Sequence, residues 1–228
     1  MKKKTGIIIG VILLFVVIIV GIVYYYDNVV YPKQVLENEV LTLSTLDLTK
    51  DTVDMNIKAK GKYGEVEKAI KTYLSEYSIE SKKIISIMSD ERYSKVLSID
   101  NYKEDGKEFT STKAYLAQTK SDLEDSFDKL ITMTSTENMS SYIDPNLGQQ
   151  YVDLYEYYMF DQEISKELES AKTSLEEAKT TIDNTLYVYE NVINLLSNNQ
   201  NSWIIQGENI VFSTQELLDQ YNELTLKL

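Results

Sequence analysis

Between Lys4 and Asp27 no residue carries a charge. This run, Thr5 to Tyr26, is 22 residues long, about 33 Å as a helix and enough to cross a hydrocarbon core of roughly 30 Å. Fifteen of the eighteen residues from Gly6 to Val23 are Ile, Leu, Val or Phe, the residue types that favour insertion at a bilayer centre. An N-terminal transmembrane helix over residues 5–26 is therefore the first expectation. A cleaved signal peptide fits less well, because its apolar core spans only about 7 to 15 residues and ends at small residues. The first Ala in this chain is Ala59, and there is no Cys to carry a lipid anchor. Tyr24, Tyr25 and Tyr26 stand where an interfacial aromatic belt belongs.

Orientation follows from the cations. Lys2, Lys3 and Lys4 precede the run, whereas residues 27–46 hold only Lys33, so the N-terminus is expected in the cytoplasm and the remainder outside. The protein then has a cytoplasmic tail (1–4), an anchor (5–26), a stalk with short strands (27–61) and a helical bundle domain (62–228). Beyond Tyr26 there are 20 basic and 36 acidic side chains, a charge of −16, which disfavours nucleic acid and anionic head groups as partners. Gly6, Gly10 and Gly21 fall on one face of the anchor helix, a small-residue surface suited to a weak homodimer. The plainer account is passive spanning, with the lipid bilayer as the anchor's only partner.

Glycine and proline are scarce, 8 and 2 residues in 228, so turns must be few and helices long. After the anchor, breakers occur only at Pro32, Gly61, Gly64, Gly106, Pro145, Gly148 and Gly207. From Glu65 to about Leu97, Val66, Ile70, Tyr73, Tyr77, Ile84 and Met88 form one helical stripe, with Glu65 and Glu67 suited to a first turn. Phe109, Leu116, Leu123, Phe127 and Leu130 repeat the pattern from about Glu108 to Thr134. Asp144 and Pro145 read as the cap and first position of a third helix. Its stripe loses phase at Asp161 and resumes from Leu168 to Leu196, which predicts a break near Asp161. The alternation of Val53, Met55, Ile57 and Ala59 predicts a strand, and Leu41 with Leu43 suggests another before it. Trp203–Ile205 and Ile210–Phe212 read as a small hairpin. Ser213 with Glu216 forms a capping box ahead of a short closing helix. The fold class is thus mainly α: a transmembrane helix followed by an extracytoplasmic antiparallel helical bundle with minor β, near 40–60 and 203–212.

Chemistry is narrowed by two zeros. With no His and no Cys, the chain lacks imidazole triads, thiolate nucleophiles and Cys- or His-based zinc sites. Placing Gly106 at the sixth position of a calcium loop puts Lys103 third and Thr112 twelfth, where oxygen ligands are needed. Ser126 and Lys129 form a mid-helix S-x-x-K with no companion motif. No glycine-rich phosphate loop exists. No catalytic, cofactor-binding or metal site is expected, and no cofactor. Glu163, Glu167, Glu169, Glu176 and Glu177 are interleaved with lysines as on a solvated helix face. Tyrosine is distinctive, at 18 copies. Tyr151, Tyr155, Tyr157 and Tyr158 crowd together and form a candidate interface for a protein or glycan partner. The plainer account has Tyr151 and Tyr158 in the core. The functional expectation is a non-enzymatic binding or scaffolding component of the cell envelope. Two alternatives are a hydrolase using acidic residues and a ligand-sensing module acting through a membrane partner.

Overall fold

The computed structural model describes residues 33–160 and 162–228. The expected anchor segment, with Gly6, Gly10, Gly21, Tyr24, Tyr25 and Tyr26, lies outside the described residues. Among the described residues, no helix is long and apolar enough to cross a membrane. The chain is mainly helical with one small antiparallel two-stranded sheet. In order, the elements are α1 (Lys33–Ser44), α2 (Lys62–Ser89), α3 (Glu91–Lys95), α4 (Ile99–Asp105), α5 (Thr110–Met133), α6 (Thr136–Ser140), α7 (Gln149–Phe160), α8 (Gln162–Asn198), β1 (Trp203–Gln206), β2 (Asn209–Phe212) and α9 (Gln215–Thr225). They form two compact units, one holding described residues 33–85 and 126–178, the other 86–125 and 179–228.

In the first unit, no strand lies near 40–60, which corrects the expectation of strands there. Leu41 and Leu43 belong to α1, whose buried stripe is Leu36, Val40 and Leu43 at steps of four and three, the helical rather than the strand period. Residues 51–58 belong to no helix or strand. Their amides are met by side chains instead: Lys58 and Ala59 donate to the Glu67 carboxylate, and Asn56 to Asp54, so no ladder is required. Residues 33–61 are therefore not a free stalk, since α1, Leu48, Val53 and Ala59 are built into the core. Tertiary hydrogen bonds fix the helices: Tyr73 Oη donates to the Met133 carbonyl (3.0 Å), Tyr155 Oη to the Met139 carbonyl (2.7 Å) and Ser78 Oγ to the Leu48 carbonyl (2.8 Å).

The third long helix does not start at Pro145. Asp144 Oδ1 accepts from the Asn146 amide at 2.8 Å, making a turn, and Gly148 follows with φ of +115°. A helix cannot run through that conformation, and a residue with a Cβ rarely adopts it. Helix α7 accordingly begins at Gln149. Helix α7 is described to Phe160 and α8 from Gln162; the break expected near Asp161 falls on a residue outside the described ones.

In the second unit, the stripe predicted from Glu65 to Leu97 ends at Ser89. Asp90 then caps α3 by accepting from the Arg92 amide at 2.8 Å. Helix α5 matches its predicted span closely. Its first donors are met from a distance, since the Asp105 carboxylate accepts from the amides of Ser111 (3.0 Å) and Thr112 (2.7 Å). The hairpin pairs Trp203 with Phe212, Ile204 with Val211 and Ile205 with Ile210, as read from the sequence. Thr214, not Ser213, caps α9, its Oγ1 accepting from the Leu217 amide at 3.3 Å. Trp203 is buried and donates through Nε1 to the Leu196 carbonyl at 2.8 Å, with Phe109 stacked on it at 6.1 Å.

Candidate functional site

The most concentrated chemistry in the structure lies in the first unit, where Glu39 of α1, Lys58 of the segment 51–58, and Glu67 and Lys71 of α2 form one ionic cluster. The side chains of Glu67 and Lys71 are 0% exposed. One helical turn apart on α2, they meet directly, Lys71 Nζ to Glu67 Oε1 at 2.7 Å. Lys71 also reaches Glu39 Oε1 at 2.8 Å and the Asn56 carbonyl at 2.5 Å. An ammonium has three donors, and all three are used. The Glu67 carboxylate additionally accepts from the amide of Lys58 (3.0 and 2.9 Å) and from that of Ala59 (2.7 Å). Lys58 Nζ closes the circuit on Glu39 Oε2 at 2.7 Å, with Asp54 at 3.7 Å.

Burial pushes the Glu39 carboxyl up, but hydrogen bonds from Lys58 and Lys71, with their charges, outweigh it and hold the group below its ordinary value. The bond to Glu39 raises the Lys58 ammonium above its own. A catalytic acid or base needs a lone pair or proton aimed at substrate. Here those of Glu67 and Lys71 are spent inside the protein. The arrangement can clamp: it fastens α1 and the segment 51–58 to α2 through charges that cannot be separated without leaving one buried and unpaired.

The cluster was not expected from the sequence, where Glu67 was expected only as a first-turn acid of its helix. A signal was available, because Glu67 and Lys71 stand four apart and flank Val66, Ile70 and Leu74 on the inward face. Their partners Glu39 and Lys58 carry no such mark.

Of the four tyrosines offered as an interface, the structure sequesters two. Tyr155 and Tyr158 are buried, which corrects their assignment to a partner surface. Tyr155 occupies the core position expected of Tyr151, which is instead half-buried, edge-on to Tyr63 at 5.1 Å with Lys62 Nζ 5.4 Å from its ring centre. Tyr157 is also half-buried, its ring 5.6 Å from that of Tyr158. Glu167, Glu169, Glu176 and Glu177 are exposed along α8, the solvated face expected of them. Ser126 is buried, and the Lys129 ammonium pairs with Glu80 at 2.9 Å. Among the described residues, no group of three acidic side chains is placed to hold a metal ion. Compared with models of protein families, with curated proteins and with solved structures, the chain matches none.

Proposed function

We propose that this chain is a single-pass membrane protein, lysines inside, whose extracytoplasmic helical domain binds or scaffolds other envelope components and performs no catalysis. The observation that carries the proposal is the uncharged run of 22 residues behind Lys2, Lys3 and Lys4. Two structural features support the rest. The fully buried pair Glu67 and Lys71 spends its hydrogen-bonding groups inside the protein, and α1, the first described element after the run, is clamped to the body. Of the four crowded tyrosines, half-buried Tyr151 and Tyr157 are the ones proposed to meet a protein or glycan partner, and a weak homodimer through Gly6, Gly10 and Gly21 remains part of the proposal.

The test uses the full chain in its native membrane. Resistance to alkaline extraction, with removal of the domain by protease added outside intact cells, is the expected result. A reporter placed after Leu228 that stays unreachable from outside, or a mature chain beginning downstream of Tyr26, overturns the placement. Proximity crosslinking should then attach envelope proteins or glycan to the domain, fewer of them once Tyr151 and Tyr157 are replaced by Ala. Turnover of cell-wall material by the purified protein would overturn the non-catalytic assignment. Replacing Gly10 and Gly21 with Leu should abolish in-membrane crosslinks between copies, and unchanged crosslinks would exclude the paired anchor.

A further inference from the structure

The net charge of −16 beyond Tyr26 disfavours anionic head groups for the domain as a whole, but between Asp54 and Glu65 one stretch, Met55 to Gly64, carries Lys58, Lys60 and Lys62 and no acid. Apolar side chains stand out beside these cations. Met55 is 46% exposed and Ile57 41%, and Lys58, Lys60, Gly61 and Lys62 are exposed with them. Lys58 is partly compensated by Glu39 and Asp54, so the outward attraction rests mainly on Lys60 and Lys62. Exposed apolar groups interleaved with ammonium groups suit the head-group layer of an anionic bilayer. There the apolar ends enter the acyl boundary while the lysines stay at the phosphates.

Chain length also limits how far the segment can lie from the end of the apolar run. Residues 27–32 span at most about 22 Å whatever their conformation. Glu39 lies six residues into α1, about 9 Å of helix rise, and it holds Lys58 at 2.7 Å. We infer that residues 55–64 rest on the anionic head groups of the bilayer that anchors the same chain, so that the domain lies with this basic, apolar segment against the lipid. The inference depends on the membrane-anchor reading above and adds to it an orientation and a lipid class.

The absence of cysteine permits a clean test. The full chain, carrying Met55→Cys or Ile57→Cys labelled with an environment-sensitive dye, is placed in vesicles of phosphatidylcholine, with or without phosphatidylglycerol. A dye at Ile79→Cys serves as reference, because Ile79 is exposed and lies fifteen residues along α2 from Gly64, about 22 Å. With phosphatidylglycerol present, head-group spin-labelled lipid should quench the dyes at 55 and 57 several-fold more than the dye at 79. The excess should vanish in Lys60→Glu/Lys62→Glu and at high salt. Equal quenching at all three positions, with the anchor protected from protease, overturns the lipid contact and leaves the anchor standing. Failure of the chain to insert overturns both. Shielding of positions 55 and 57 by a soluble anionic polymer, without quenching by lipid, overturns the lipid in favour of the polymer.

Discussion

Lys71 is the side chain on which most depends. Replacing it with Met removes one charge and leaves Glu39 and Glu67 facing each other with a single cation, Lys58, at the edge. Breaking a buried pair from one side costs about 3–5 kcal/mol, and the urea midpoint should fall accordingly. An exposed-pair replacement such as Lys95→Met, which loses a contact with Glu91, should move the midpoint far less. The same cluster sets an acid limb. Because the folded-state pKa of Glu39 is depressed, the unfolded chain binds the proton first as pH falls. The contribution of this group is therefore present above its ordinary value of 4.5 and lost below it. Stability should hold from about pH 7 to 5 and decline below. In Glu39→Gln the decline should be shallower, and an unchanged slope would mean that the clamp does not set it. Little of this was legible in the sequence. A stripe reveals which residues face inward but not which distant charge waits there, and Glu39, Lys58 and Lys71 come from three separate segments.

Elements were legible where one period dominated. Helix α5 and the hairpin were read nearly to the residue, because Phe109 to Leu130 repeat on one face and Gln206 to Asn209 interrupt two β-branched runs. Helix α1 was missed because Leu41 and Leu43 alone mimic alternation, while its true stripe passes through Leu36 and Val40. The segment 51–58 satisfied the period of two yet found no strand to pair with, and its amides went to Glu67. Gly64 shows how closely that segment lies on α2. A Cβ added there would sit 2.7 Å from the Ala59 carbonyl oxygen and 3.2 Å from Ile57 Cγ2. Alanine favours a helix over glycine by up to about 1 kcal/mol, but the obstacle is backbone and cannot rotate away. Gly64→Ala should therefore destabilise, by about 1–3 kcal/mol as for other overpacked sites. A rise in thermal midpoint would show that residues 57–59 yield. At the other end of α2, Asp90→Ala removes the cap of α3 and should cost about 0.5–2 kcal/mol, read as loss of amide protection in residues 91–95.

At the scale of the whole molecule, the tyrosine content noted in the sequence becomes a statement about alkali. Tyr73, Tyr77, Tyr93, Tyr102 and Tyr155 are buried, and burial pushes each phenol above its ordinary value of 10.0. A low-dielectric surrounding disfavours the phenolate. Their folded pKa values are thus raised, so the stability they contribute is complete below about pH 10, and is lost as pH rises further and the unfolded chain ionises first. The buried set should yield tyrosinate absorbance only together with loss of helical circular dichroism. Tyr155→Phe removes one such phenol and its bond to the Met139 carbonyl. It should lower stability by about 0.5–1.5 kcal/mol at neutral pH while making the alkaline limb less steep. Tyrosinate absorbance from those five rings at about pH 10, with the helices intact, would place them in solvent, against the core described above.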